Sequence, residues 1–209
     1  MIPEPAQEPQ TFQLDWLAAA HLVTWSYRNT ADGHKALISD GVLCEFAVFE
    51  PHELAHIPYA PGRFVWRRDE VAPTLAFPAR PLPGPHGEAW LVGEALSNLL
   101  VGLMRRARGE KLSAMRLVQV HALDRVLELL ETRRALSGSH AARRDPFSVE
   151  RRIEARDPLS AAALPTWAGG YHGTPAAALS LLAALEAHTD VPRPVADRIR
   201  SLAAPLSHG

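Results

Sequence analysis

The chain has 209 residues, of which 47% are hydrophobic, and a formal net charge of -1. This length and composition predict a globular protein with a buried core, in one large domain or two small ones. The single cysteine, Cys44, excludes an internal disulfide and any zinc site built from several cysteines. No run of about 18 apolar residues indicates a membrane span and no basic, then apolar N-terminus indicates secretion, so we expect a cytoplasmic protein.

Charge is distributed unevenly along the chain. Residues 1–60 contain eight acids and two bases, a net of -6, whereas residues 105–156 contain thirteen bases and seven acids, a net of +6. Solvated helix faces would explain the basic stretch. An anion site, such as one for a phosphate chain, would explain it as well, with the acidic part holding metal ions or a cationic substrate.

The first part of the chain predicts a small antiparallel sheet. After a Pro- and Gln-rich arm, "FQLDWLAAA" favours a short helix, and "HLVTWSYRN", "KALIS" and "VLCEFAVF" are typical of three β-strands. The Asp-Gly pairs at 32–33 and 40–41 predict tight turns between these strands. Prolines then recur from Pro58 to Pro85, which leaves room for no long element and for one short strand at most, "RFVWRR".

The second part predicts helices. In "GEAWLVGEALSNLLVGLMRRARG" the apolar residues recur at spacings of three and four, and Gly109 is placed to end this helix. The stripe consists of Val92, Leu96, Leu99 and Leu103. A second helix is predicted from a cap at Ser113 to about Leu136, antiparallel to the first.

At least two further helices are predicted towards the C-terminus. Thr174 followed by Pro175 predicts the start of one, "PVADRIRSLA" a last one, and Ser148 is a candidate cap for "VERRIEAR". The predicted class is α+β: a small, mainly antiparallel sheet with a proline-rich connector over residues 1–87, then a helical bundle over residues 88–209.

Residues 52–56 spell H-E-x-x-H, a pattern that on a helix would bind zinc through His52 and His56 with Glu53 as general base. Pro51 and Pro58 limit any helix here to about one and a half turns. We therefore interpret this stretch as a solvated turn and keep a zinc metallohydrolase only as a distant alternative.

Glu45 lies within the apolar alternation of the third predicted strand. On a strand exposed on one face it would be an ordinary surface residue, whereas in a strand buried on both faces its carboxylate would need a metal or a base beside it. The pattern alone does not choose between the two.

The order of these elements resembles the lincosamide nucleotidyltransferase branch of the polymerase-β-like nucleotidyltransferases. The resemblance covers "WLAAAHLVTWSYRNTADGHKALISDGVLCEFAVFEPHEL" and, after the connector, "GEALSNLLVGLMRRARGEKLSAMRLVQVHALDRVLELLE". Members of that branch have a strand pair and a glutamate-bearing strand before a helical domain whose first helix ends in an Arg-Gly-Glu-like turn. Arg108, Gly109 and Glu110 form that turn here.

The resemblance implies transfer of a nucleoside monophosphate from ATP or another triphosphate to a hydroxyl of a small, antibiotic-type acceptor, with Mg²⁺ as cofactor. It makes Glu45 the general base for the acceptor hydroxyl or a neighbour of the metal. Arg105, Arg106, Lys111 and Arg116 are candidate triphosphate contacts by charge, with a solvated turn as the alternative. No nucleic-acid partner is expected, and the two-fold dimers common in such families make a homodimer plausible.

One departure from the family's pattern limits this prediction. The family's metal site also uses a Gly-Ser turn followed by two acids one residue apart, upstream of the matching stretch. Here no Asp is followed two positions later by an acid, and the one Gly-Ser pair, at 138–139, falls in the helical part. We expect a protein that is catalytically incomplete alone, unless another chain supplies the acids; a non-catalytic nucleotide-binding or dimerisation module is the alternative.

Overall fold

A small antiparallel sheet precedes a set of helices, so the predicted α+β class is confirmed. The computed structural model of the protein describes residues 14–80, 86–136, 145 and 147–204. The N-terminal arm, the prolines of 81–85 and the Gly-Ser pair at 138–139 lie outside the described residues. Two compact units make up the chain, Met1–Pro83 and Gly84–Gly209; we call them the sheet unit and the helical unit.

The sheet unit is built on three strands in the order β1-β2-β3, with antiparallel neighbours. The strands are β1 (Val23–Arg28), β2 (Gly33–Ile38) and β3 (Leu43–Ala47). Gly41 in the second turn has φ +86, in the left-handed region that glycine adopts without strain. The predicted meander and its two tight turns are therefore present.

One face of the sheet is packed and the other is open. The short helix α1 (Asp15–Ala18) buries Leu17 against Ala36 and Ile38 of β2. Opposite residues of an antiparallel pair share a face, so the second face carries the exposed Trp25 and Tyr27 of β1, whose ring centroids lie 5.0 Å apart. A sheet open to solvent on one side explains why its strands alternate in hydrophobicity.

The connector after β3 contains two short 3-10 turns, Glu53–Ala55 and Pro73–Ala76. The strand predicted at "RFVWRR" is wrong, because residues 63–68 form no ladder. Tyr59 instead holds the connector together: its hydroxyl donates to the Phe77 carbonyl at 2.6 Å and lies 3.0 Å from the Leu75 carbonyl.

The helical unit starts with a long helix that contacts most of the others. The elements are α2 (Glu88–Ala107), α3 (Lys111–Arg116), a π-helical turn (Leu117–Ala122), α4 (Leu123–Leu136), α5 (Ile153–Arg156), α6 (Pro158–Trp167), α7 (Thr174–His188) and α8 (Arg193–Ala203). α2 packs against α3, the π-helical turn, α4, α7 and α8. Among the described residues no helix is both long and apolar enough to cross a membrane.

Some predicted helix ends are confirmed and others are wrong. Gly109 has φ +87 two residues after the end of α2, as its predicted capping role requires. Ser113 caps nothing, because α3 already begins at Lys111 and the Ser113 hydroxyl accepts a hydrogen bond from Arg105. Ser148 is not a cap either, since the nearest helix, α5, begins only at Ile153.

The π-helical turn interrupts a run of helix that continues from α3 into α4, and the sequence analysis did not predict it. The buried side chain of Gln119 explains why it persists. Its amide oxygen accepts from the Gly170 amide (2.8 Å), and its amide nitrogen donates to the Gly170 carbonyl (2.8 Å) and to the Thr174 hydroxyl (3.0 Å). These three bonds tie the turn to the loop before α7 and offset the poorer backbone geometry of the π-helix.

Gly102 lets α2 approach the π-helical turn closely. A Cβ added at Gly102 would lie 2.7 Å from a methyl carbon of Val118, 3.3 Å from the Ala114 carbonyl and 3.3 Å from the Cβ of Leu117. Because Val118 is fully buried, its methyl cannot move away without disturbing the core. A residue without a Cβ is therefore required at position 102 for α2 to pack this closely against the π-helical turn.

Gly102→Ala should destabilise the protein by about 1–3 kcal/mol through overpacking, measured as the free energy of unfolding in urea. Gly93→Ala in the same helix is the matched control, since nothing lies within 4 Å of its added Cβ. Higher helix propensity should make that control neutral or more stable by up to about 1 kcal/mol. Equal effects of the two substitutions would contradict the close-approach account.

Candidate functional site

Glu45, the predicted catalytic residue, lies on β3 with its side chain on the open face of the sheet. The side chain is 59% exposed, and its carboxylate lies 3.2 Å from the Lys35 ammonium on β2. The two residues are directly opposite in the antiparallel register. The question that the sequence left open is thus answered in favour of a strand exposed on one face, with a cross-strand ion pair of the kind that stabilises sheets modestly.

The H-E-x-x-H stretch does not form an α-helix. Glu53 belongs to a three-residue 3-10 turn, with His52 and His56 at its two ends. Glu53 accepts a hydrogen bond from the Glu50 amide at 2.6 Å, so its carboxylate closes the turn. Within the part of the chain that the structure describes, no group of three or more His, Cys, Asp or Glu side chains is placed to hold a metal ion.

The predicted basic residues lie at the end of α2 and on α3. Arg105 donates to the Ser113 hydroxyl and also lies 3.9 Å from Glu110, which pairs with Arg108 at 2.9 Å. Lys111 and Arg116 are exposed on α3. Glu110 therefore pairs with both Arg105 and Arg108, and this surface keeps a net positive charge.

Arg106 differs from these neighbours because it is buried. Only 5% of the residue is exposed, in the last turn of α2. Its Nε and Nη1 atoms have no hydrogen-bond acceptor among the described residues. A guanidinium is always protonated, so Arg106 brings to the basic end of α2 a buried positive charge, and two of its three nitrogens have no acceptor among the described residues.

A second site is a cleft within the helical unit, which we call the α2–α4 cleft. It has a volume of about 280 Å³. Its lining consists of Trp90, Glu94, Asn98, His121, Asp124 and Arg125. The first three recur every four residues along one face of α2, and the π-helical turn brings His121 to the wall that α4 continues.

Two side chains contact the indole ring of Trp90 at the cleft wall. The His86 ring stacks on it with centroids 3.9 Å apart, and the Arg125 guanidinium lies 5.5 Å from its centroid. Glu128, only 2% exposed, lies 3.2 Å from His86 Nδ1 and 3.4 Å from Arg125 Nη1. One buried carboxylate thus fixes both groups that contact the indole.

Asp124 is half-buried in the cleft and forms no hydrogen bond or ion pair with the described residues. Burial raises its pKa, and the negative charge of Glu150 raises it further; Arg125 and His121 lower it in part. A carboxyl group left without a partner in such surroundings is typical of a functional site rather than of a structural ion pair.

This cleft was not predicted from the sequence. One wall of the cleft could have been predicted, because Trp90, Glu94 and Asn98 recur every four residues and so share one face of the predicted first helix. The position of His121 in the cleft could not be predicted. On an uninterrupted α-helix its side chain would take a different angular position relative to Asp124 and the α2 face.

Comparisons with known proteins identify no family. No protein-family model matches the sequence, and no curated protein or solved structure matches the chain closely enough to indicate a relationship. The predicted family membership accordingly stays a prediction, and function has to be argued from the two sites themselves.

Asp124→Asn should stabilise the protein near neutral pH. Because the pKa of Asp124 is raised above 3.8 in the folded state, the stability that its protonated form contributes is fully present below about pH 4 and is lost as pH rises through the folded-state pKa. Urea unfolding of both proteins between about pH 4 and pH 7 should therefore show an advantage of the Asn variant that grows with pH.

Asp197→Asn is the control for this experiment, since Asp197 is an exposed acid of α8 that pairs with Arg200 at 3.5 Å. Its effect should stay within about 1 kcal/mol across the same pH range. A pH-independent difference between wild type and Asp124→Asn would contradict the raised pKa.

Proposed function

We propose that the protein is a nucleotidyltransferase-type protein that binds the phosphate groups of a nucleoside triphosphate at the basic end of α2 and does not transfer the nucleotide alone. Arg106 is the observation that supports this proposal most strongly. A buried guanidinium without an acceptor costs several kcal/mol unless an anion joins it. Phosphate oxygens fit its planar set of donors, two at a time.

The surroundings of Arg106 favour an external anion over one from the chain. Glu110, the acid of the adjoining turn, already pairs with Arg105 and Arg108. The exposed Lys111 and Arg116 add positive charge that would attract a polyphosphate and raise its association rate. A triphosphate with its several charges is favoured over a single carboxylate by this excess of cations.

Glu45 supports the resemblance more weakly. Its carboxylate is on the open face of the sheet, where an acceptor hydroxyl could reach it. However, it is the single carboxylate that the three strands place on that face, and it is paired with Lys35. One carboxylate with an ammonium beside it does not fit a site for two Mg²⁺ ions, so transfer would need acids from elsewhere.

Under this proposal, binding of the nucleotide and transfer of the nucleotide have different requirements. Binding of a triphosphate, with the Mg²⁺ that it carries in solution, requires only the basic end of α2. Nucleotidyl transfer to a small-molecule hydroxyl would in addition require paired acids to hold the metal ions, from a further segment or another chain. Nucleotide binding without transfer is therefore the activity proposed for these 209 residues.

Addition of ATP with Mg²⁺ should raise the melting temperature of the protein, whereas adenosine should not, because phosphate rather than base carries the proposed contact. Arg106→Met should weaken ATP binding by about tenfold or more, since charge-assisted hydrogen bonds are lost. Its melting temperature without ligand should be equal or higher, because the variant no longer buries an unpaired charge.

Arg198→Met is the matched control, an exposed arginine of α8. It should retain the wild-type response to ATP. The proposal would be wrong if ATP gave no shift in wild type, or if Arg106→Met and Arg198→Met bound ATP equally.

A further inference from the structure

We propose that the α2–α4 cleft binds a small molecule that carries a protonated amine, with the amine against the Asp124 carboxylate. The inference goes beyond the proposed nucleotide binding and does not rest on it. None of the cleft residues belongs to the basic end of α2, and all of them belong to the helical unit.

The shape of the cleft is set before any ligand arrives. The indole of Trp90 contacts His86 and Arg125, and the buried Glu128 pairs with both of these side chains. A wall that is already ordered loses little side-chain entropy on binding, which favours even a small ligand. The volume of about 280 Å³ is at the low end of ligand sites and suits a single ring or a short chain.

The charge of the cleft selects a cation. The carboxylates of Glu94 and Asp124 line it, and those of Glu128 and Glu150 act on Asp124 from close by. Arg125 is the one cationic side chain in the lining, and its charge is matched by Glu128. Burial is the main cause of the raised pKa of Asp124, and the negative charge of Glu150 adds to it, so a cation placed against this carboxylate would stabilise its charged form.

Asp124 is the group that lacks a partner. Among the described residues no donor is bonded to its carboxylate. A protonated amine would supply a charge-assisted hydrogen bond, about twice as strong as the bond from a neutral hydroxyl. It would also lower the pKa of Asp124 and remove the cost of keeping the carboxylate charged in this half-buried position.

The remaining lining suits polar substituents on the same ligand. Asn98 offers an amide, which donates to the Glu94 carbonyl at 2.7 Å, and His121 offers a ring nitrogen from the π-helical turn. A metal ion is not favoured here, because the described residues contain no group of three or more His, Cys, Asp or Glu arranged to bind one. An organic amine with one or more hydroxyl groups fits both the charge and the polar lining.

Three pairs of probes test the inference, each an amine beside its hydroxyl counterpart: ethanolamine and ethylene glycol, glucosamine and glucose, putrescine and 1,4-butanediol. Binding to the full chain is followed through the NMR signal of the Trp90 indole N–H, assigned with Trp90→Phe. We expect at least one amine to shift this signal in a saturable way, and its neutral counterpart to bind about tenfold more weakly or not at all.

Two variants decide whether Asp124 carries the recognition. Asp124→Asn should weaken binding of the amine by about tenfold or more and so abolish the preference for the amine over the alcohol. Asp197→Asn on α8 should leave binding unchanged. A melting temperature of Asp124→Asn equal to or above that of wild type separates lost recognition from lost fold. The inference is overturned if no amine of the panel binds, if amine and alcohol bind equally, or if Asp124→Asn binds the amine as wild type does.

Discussion

The close approach of α2 to the π-helical turn, permitted by Gly102, is the constraint on which the helical unit depends. Val118 fills the space that any larger residue at 102 would take. Because the backbones are this near, the apolar stripe of α2 meets the buried side of the turn directly. The same contact fixes the angular position of α2, and so determines where Arg106, one turn further on, and Trp90, three turns before, come to lie.

Two side chains of the π-helical turn lie in different surroundings, one in the core and one in the α2–α4 cleft. Gln119 points inward, where its amide is bonded to Gly170 and Thr174. His121, two residues later, lines the α2–α4 cleft. A regular α-helix could not satisfy both positions with the same flanking helices, since an extra residue in one turn rotates everything that follows. The cleft is thus a consequence of how the core is packed.

Much of the fold was predictable because it follows from local periodicity. The stripe Val92, Leu96, Leu99 and Leu103 is buried as predicted, and Gly109 adopts the positive φ expected after a helix. The burial of Arg106 was also readable in principle, since it continues that stripe at the next helical spacing after Leu99 and Leu103. From its charge, Arg106 was predicted as a triphosphate contact, with a solvated turn as the alternative.

Other features could not be predicted from local pattern. The π-helical turn depends on tertiary hydrogen bonds from Gln119 to a loop 51 residues away, and nothing near 119 in the sequence marks it. Serine is a residue type common at helix N-caps, but the hydroxyl of Ser113 accepts a hydrogen bond from Arg105 of the neighbouring helix instead. The cleft combines residues of α2 with residues of α4, so its existence follows only from the packing of the two.

The two sites have in common a charged group that has no bonded partner among the residues the structure describes: a cation at Arg106 and an anion at Asp124. Each lowers stability in the absence of a ligand, and proteins retain such groups where function requires them. The opposite signs argue for two different ligands, an anion at the end of α2 and a cation in the cleft.

The central claim is that Arg106 and the basic residues beside it form a site for phosphate groups. Isothermal titration of the full chain with adenosine, AMP, ADP and ATP, each with Mg²⁺ at low ionic strength, tests it most directly. The account predicts no binding of adenosine and an affinity that rises stepwise with the number of phosphates, and that falls as salt is added. Binding of adenosine as tight as that of ATP, or no binding of any member of the series, would contradict it.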